Sequence, residues 1–493
     1  MAPASRSDGG NESPYPIAFS TKIGYYLAPM LLILTDYIVV VGAALTAAYI
    51  RVSILPHYLA NLMPFHVNDI VVYVMIPSIY ILFLAYENLY SKRLPFLQST
   101  EKLFKICTYV NIFVIIVMFF IGSADQISRL FAAFTWLFSF AYLCIARYFG
   151  KRLLTMSGLW QKPVVIVGAG KTAEILAQNF TDEPGMGYKI VGVVEDIVSE
   201  RPLVDIYPHI GTFATVEQAV ATSGVQDVII AAPGLQREEL LDLVYRIQPH
   251  IRNLTIVPDL LGMPLSNMSV ETLFSDKMIL LKMRNNMMKT RNRILKRTFD
   301  LLASFLGCII LSPILLGIAI AIYIASPGPV LFAHQRIGAG GKTFPCYKFR
   351  SMITHSEEVL ERYLKNNPEA REEWERDFKL KDDPRVTGIG QILRKTSLDE
   401  LPQLLNVIKG EMSLVGPRPI VDEEVVKYGE YITDYYLVRP GITGFWQVSG
   451  RSDIDYDSRV QMDSWYVRNW SLWQDIVLLI KTVRVVLMGK GAY

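Results

Sequence analysis

Five apolar runs constrain this chain more than any other feature, at roughly 25–50, 68–90, 103–122, 127–148 and 299–325. About 20 apolar residues suffice to cross hydrocarbon as a helix, and inside lipid the backbone must satisfy its own polar groups. The first four runs therefore read as four transmembrane helices over 25–150. Composition agrees: 51% of residues are hydrophobic, only 19% are charged, and the mean hydropathy is +0.29. Residues 1–24 carry Gly, Ser and Pro without an apolar core and read as a disordered tail. Lys92, Arg93, Lys102 and Lys105 separate the second and third runs, and Arg147, Lys151 and Arg152 follow the fourth, while the alternate loops offer mainly Arg51 and Arg129. The positive-inside rule then puts both chain ends in the cytoplasm. Asp36, inside the first run, reads as a carboxylate bonded to a neighbouring helix.

From 158 to 281 the pattern changes to short β-branched segments at 164–167, 190–194, 227–231 and 254–257, alternating with amphipathic helices. Such alternation specifies a parallel sheet covered by helices, a Rossmann-like α/β domain. The first strand enters a GxGxxA turn at Gly168, Gly170 and Ala173, and Glu195 follows the second strand. That turn can seat a pyrophosphate on a helix N-terminus, with Glu195 on a ribose, or merely pack strand against helix. The four cysteines, Cys107, Cys144, Cys308 and Cys346, form no metal-ligand pair or disulfide framework.

The last region, 282–493, opens with Lys282, Arg284, Lys289, Arg291, Arg293, Lys296 and Arg297, with no acid among them, a segment suited to anionic headgroups. The fifth apolar run is broken near its middle by Ser312 and Pro313. Proline frees a carbonyl that the Ser312 hydroxyl can bond, so the run can bend back as a re-entrant hairpin. Cations flank both ends, Lys296 and Arg297 before it and Arg336, Lys342, Lys348 and Arg350 after it, and a full crossing would strand one cluster outside. The charged stretch 357–381 reads as solvated helix surface.

Acids, bases and apolar residues then crowd together at Arg394 and Lys395 and along 396–404, which includes Ser397, Asp399 and Glu400. Ser397 is expected to cap a helix whose first turn holds both carboxylates, where the dipole would lower their pKa. Gly416, Pro417, Arg418 and Pro419, with Arg439, Pro440 and Gly441, add rigid turns bearing guanidinium groups that fit phosphate oxygens. A carboxylate nucleophile, cations to neutralise a diphosphate and an oxygen-liking divalent metal form a set for phosphoryl transfer. Magnesium suits it, needing one or two protein carboxylates besides substrate phosphates.

At these residues the chain resembles the polyprenyl-phosphate sugar phosphotransferases, the monotopic phosphoglycosyl transferases in their large form, which act on galactose or glucose. Lys348-Phe349-Arg350-Ser351-Met352, the run 397–404 and the run 415–419 stand in the family's order, and the likeness extends over nearly the whole chain. The resemblance implies transfer of sugar 1-phosphate from a UDP-sugar to undecaprenyl phosphate, with release of UMP, as the first membrane step of exopolysaccharide, capsule or O-antigen synthesis. It implies Asp399 as nucleophile through a phosphosugar-aspartyl intermediate, Glu400 with Asp399 as ligands of Mg2+, and Lys348, Arg350, Arg394, Arg418 and Arg439 in phosphate-binding motifs. It also implies a re-entrant helix broken at Ser312 and Pro313, a mainly helical catalytic domain on the cytoplasmic face of the bacterial inner membrane, and a homodimer. Membrane lipids are the other expected partner, and no nucleic acid is expected. Two rival readings are a membrane-anchored, NAD-dependent nucleotide-sugar modifying enzyme built on Gly168 and Gly170, and a membrane scaffold. The domain lacks a Tyr-x-x-x-Lys pair for the first, and carboxylates other than Asp36 are scarce in the apolar runs for a transporting version of the second.

Overall fold

The computed structural model describes residues 19–488 except 60–61, 63–64, 66–67, 122–127, 200, 260–267, 274–277, 284, 355, 369, 372–382 and 451–453. Residues 1–18 of the expected tail 1–24 lie outside the described residues, and 19–24 are not disordered but form the start of the first helix. The chain divides into two compact units, Met1–Leu260 and Leu261–Tyr493.

The first unit begins with a helical bundle: α1 (Phe19–Tyr49), α2 (Ile76–Tyr86), α3 (Phe96–Phe120) and α4 (Arg129–Met156). Three of these helices are long and apolar enough to cross a membrane, whereas the second apolar run yields a shorter helix over Val71–Tyr86. Ala28, Ala43, Ala44 and Ala47 are fully buried on α1, and such small side chains let helix backbones approach closely. Met30, Ile38, Phe120 and Ile145 point outward, as a lipid-facing surface requires. Pro29 is absorbed inside α1, and Pro77 sits in the first turn of α2, where its missing donor costs little. Asp36 has its helix partner: Arg147 donates to both carboxylate oxygens, at 3.2 and 2.5 Å, and to the Leu89 carbonyl at 3.1 Å. Both side chains are almost completely buried, so Arg147 is an internal strut and not a loop cation.

The sheet that follows has the order β3-β2-β1-β4-β5, every pair parallel. Its strands are β1 (Lys162–Val167), β2 (Tyr188–Val194), β3 (His209–Gly211), β4 (Asp227–Ile230) and β5 (Asn253–Ile256), with α5 (Lys171–Asp182), α6 (Pro202–Ile206), α7 (Val216–Ser223) and α8 (Arg237–Ile247) between them. Val164, Val165, Ile166 and Val167 are inaccessible, as expected for a strand covered on both faces. Gly168 has φ +100°, and a Cβ there would come within 2.9 Å of Ala232, so close packing alone demands glycine.

The second unit opens with an antiparallel pair, β6 (Ser269–Leu273) and β7 (Met278–Lys282), residues the sequence pattern had attached to the α/β domain. Then comes α9 (Thr290–Ala325), helical without interruption through Pro313. Pro313 leaves the Ile309 carbonyl without its helical donor, and the Ser312 hydroxyl bonds it at 2.7 Å. Along its whole length α9 packs on its own unit. Phe299, Ala303, Cys308 and Leu311 join the core around Leu404 and Val407, while Leu315, Ile318 and Ile322 join Phe349 and Leu393. The other face, including Leu302, Phe305, Ile310, Leu316 and Ile324, is bare.

The basic segment before α9 does not lie wholly on the surface. Lys296 is buried, with its ammonium 2.7 Å from Asp475 and 3.0 Å from the Val415 carbonyl, and Asp300 accepts from the Ser413 hydroxyl at 2.7 Å. Arg297 donates to the Val407 and Ile408 carbonyls, capping the C-terminal carbonyls of the helix Gln403–Lys409. Lys289, Arg291 and Arg293 remain exposed for headgroups. Lysine and arginine at these two positions are spent on the fold because a carboxylate and orphan carbonyls face them, something the charge pattern alone does not reveal.

Candidate active site

The antiparallel hairpin β8 (Leu331–Ile337) and β9 (Thr343–Phe349) follows α9. Alternation along β9 turns Phe344, Cys346 and Lys348 to one face, the first two buried and Lys348 at the edge. The Lys348 ammonium reaches Glu400 at 2.7 Å. What holds that geometry is Asn406, fully buried in the helix Gln403–Lys409: its amide donates to the Pro345 carbonyl at 2.7 Å and to Glu411 at 2.6 Å, and its carbonyl accepts from the Tyr347 amide at 3.0 Å. The strand carrying the cation and the segment carrying the carboxylates are thereby tied together.

Asp399 and Glu400 do not sit in the first turn of a capped α-helix. Ser397 adopts φ +56°, a left-handed conformation that ends the preceding helix Gly388–Thr396, and its side chain makes no cap bond. The carboxylates occupy a 3-10 turn, Leu398–Glu400, before Gln403–Lys409 begins. A three-residue turn has no aligned dipole of consequence, so the expected lowering of the Asp399 pKa is reversed. Burial pushes its carboxyl above the usual range; Lys348 and Arg394 pull it down, and the neighbouring Glu400 pushes it up. Among the described residues no side chain hydrogen-bonds the Asp399 carboxylate. Left-handed backbone on a residue with a side chain costs on the order of 1 kcal/mol, and here it falls at Ser397, two residues before that carboxylate.

Arg394 is held by its Nε on the Ser351 hydroxyl at 2.9 Å. The turn 383–387 pairs with the residues after β9: the Ile353 amide bonds the Arg385 carbonyl and the Thr387 amide bonds the Ser351 carbonyl. Burial acts upward on Asp383, but the Arg385 fork, at 2.8 and 2.6 Å, outweighs it and holds the carboxyl low. Arg336 donates to the Pro419 carbonyl, next to Arg418, at 3.5 Å, and both guanidinium groups act electrostatically on Cys346, as Lys348 and Glu400 do. Burial pushes the Cys346 thiol up to about 11, which leaves it inert at neutral pH. Arg418 follows Gly416, where an added Cβ would fall 2.5 Å from the Arg439 carbonyl. Buried Asp463 accepts from the Tyr428 hydroxyl at 2.9 Å, and burial pushes its carboxyl up to about 7; the Arg418 guanidinium lies 5.9 Å from the Trp446 ring centre.

Two adjacent carboxylates, one with no side-chain partner among the described residues and one with a single oxygen engaged, fit magnesium's modest demand for protein ligands. Among the described residues no set of three or more His, Cys, Asp and Glu side chains forms a closed metal cage.

Residues 291–489 match the family described as bacterial sugar transferase, and residues 87–258 match one described as CoA-binding domain. The undecaprenyl-phosphate galactose phosphotransferase of Salmonella typhimurium is 41% identical over 405 residues, covering 82% of this chain and 84% of that protein. The chain belongs to the polyprenyl-phosphate sugar phosphotransferases. The UDP-glucose:undecaprenyl-phosphate glucose-1-phosphate transferase of Escherichia coli is 31% identical over 353 residues, 70% of this chain and 72% of that one. The exopolysaccharide production protein ExoY of Sinorhizobium fredii is 49% identical over 200 residues, 41% of this chain but 88% of ExoY.

In this phosphotransferase the fold brings Asp399, Glu400, Lys348 and Arg394 together, with Arg418 around Cys346. Arg350 is turned elsewhere: its guanidinium is buried and donates to the Ser326 carbonyl at the end of α9, so it anchors that helix. Arg439 is exposed and lies within electrostatic range of Arg297. Asn406 and Asp463 were not singled out from the sequence, because a lone polar residue among apolar ones carries no pattern until its partners are known; Ser351 was quoted only as part of its motif, with no role given to it.

Proposed function

We propose that this chain transfers sugar 1-phosphate from a UDP-sugar to undecaprenyl phosphate at the bacterial inner membrane, with galactose or glucose as the leading sugars, and so begins polysaccharide synthesis. The observation that carries the proposal is the Asp399 carboxylate: desolvated, without a hydrogen-bonding side chain, and flanked by Lys348 and Arg394. An Asp399 oxygen attacks the phosphorus bearing the sugar, the bond from that phosphorus to the UMP oxygen breaks, and UMP leaves. An oxygen of undecaprenyl phosphate then attacks the same phosphorus, and the bond to Asp399 breaks, restoring the carboxylate and giving a lipid diphosphate sugar. Lys348, Arg394 and Arg418 neutralise the diphosphate while these bonds change. Asp399 and Glu400 are the residues that would hold a magnesium ion, and such an ion, when bound, would supply charge stabilisation to the leaving phosphate.

The α9 helix supports a re-entrant membrane element. Straight, 36 residues would extend about 54 Å, well beyond the roughly 30 Å hydrocarbon layer. Yet its start is bound through Lys296 and Asp300, and its end through Ser326, to one and the same unit. Attachment of both ends to one unit supports a run that enters and leaves on one face, which we take to be the cytoplasmic face that holds nucleotide sugars, although α9 itself is one continuous helix with no turn at Pro313. The nicotinamide reading is not favoured, because the Glu195 carboxylate already accepts from the Ala169, Asp196 and Ile197 amides. Membrane fractions given labelled UDP-galactose, UDP-glucose and undecaprenyl phosphate should yield lipid-extractable sugar with equimolar UMP. Release of free sugar, or turnover that requires NAD, would overturn the assignment.

A further inference from the structure

Within the first unit, the end of the helical bundle next to the α/β domain carries a half-open cavity of about 340 Å³ whose lining includes Leu94, Leu103, Lys151, Arg152, Asp182 and Glu183. At about 30 Å³ per water, it holds a group of several heavy atoms. Lys151 is 95% buried, and its ammonium has no hydrogen-bond partner. Trp160, with its ring centre 5.4 Å away, offsets only part of that desolvation. A buried ammonium without an anion costs several kcal/mol.

The local acids are already engaged. Arg147 takes both oxygens of Asp36, the Phe96 amide donates to Glu183, and Gln178 donates to Asp182. Only Asp36 has its charge paired; Asp182 and Glu183 keep theirs at the cavity, yet among the described residues neither reaches the Lys151 ammonium, which is left without a partner with Arg152 exposed beside it.

We propose that this cavity binds a phosphate group, with Lys151 as its buried cation and Arg152 as its outer one. The phosphate belongs either to an anionic lipid headgroup or to a soluble phosphate compound. The site is independent of Asp399 and of the transfer reaction.

Thermal unfolding of the full-length protein in phosphate-free, non-ionic detergent separates these sources when titrated with phosphatidylglycerol or inorganic phosphate. At least one probe should stabilise the wild type, and Lys151→Met should need about tenfold more of it, the worth of a charge-assisted bond. Lys151→Met should unfold at or above the wild-type temperature without probe, since it removes an unpaired buried charge. Lys151→Arg should restore the response, and Arg152→Gln, on the surface, should weaken it a few-fold. Response to phosphatidylglycerol alone assigns a lipid headgroup; saturation by inorganic phosphate assigns a soluble ligand. Equal shifts in wild type and Lys151→Met, or no shift in the wild type, would mean the cavity holds only water and the proposal is wrong.

Discussion

Two carboxylates illustrate how one fold sorts structure from chemistry. Glu195 is almost fully buried at the end of β2, and its oxygens accept three backbone amides, including Ala169 in the glycine turn. Asp399 is only partly buried, and what surrounds it is charge: Lys348, Glu400 and Arg394 act on it, and among the described residues no side chain hydrogen-bonds it. A carboxylate whose lone pairs are occupied stabilises a turn; one left unsatisfied beside cations is available to a substrate. From sequence the glycine turn stayed open between a pyrophosphate seat and a packing device, whereas the runs around Asp399 already carried the family resemblance; the hydrogen bonds of Glu195 favour packing.

Breaking Asp399 should have the largest effect. Asp399→Asn should cut UMP release by about 10³-fold or more, with the unfolding temperature near that of the wild type; substantial residual turnover would erase the contrast with Glu195. Lys348→Met should lower turnover about 10- to 100-fold at neutral pH, because it removes a cation near both carboxylates.

The acidity of Asp399 sharpens the comparison further. The reactive form is the carboxylate, and its folded pKa is raised, so activity should be present at higher pH and lost as pH falls through a value above the ordinary 3.9 or so. Lys348 opposes that rise, so Lys348→Met should move the acidic limb of a pH–rate profile further toward neutrality. An unmoved limb would detach Lys348 from Asp399. Glu195→Gln should be the mildest for catalysis: about 1–3 kcal/mol of stability lost in denaturant titrations, with turnover per folded molecule unchanged.

Much of this was legible beforehand, for reasons particular residues make clear. The bundle helices and β1, β2, β4 and β5 announce themselves because burial imposes periodicity, 3.6 residues for helices and unbroken β-branched runs for covered strands. β3 has three residues, His209–Gly211, too short to carry any period. The Ser312 hydroxyl bonds the carbonyl that Pro313 frees, because that rule is local. Ser397 was misread for the opposite reason: a serine before two acids has the composition of a cap, and only the left-handed backbone shows that it ends a helix. Lys296 and Arg350 looked like flanking surface charge, but their partners, Asp475 and the Ser326 carbonyl, are distant in sequence or hidden in a turn.

The most direct test incubates purified enzyme with UDP-sugar alone and follows both UMP and the intact protein mass. The account predicts one UMP per active site without acceptor, a mass gain of one sugar phosphate on the peptide containing Asp399, and loss of that adduct when undecaprenyl phosphate is added. UMP that appears only once acceptor is present, with no adduct on the protein, would contradict it.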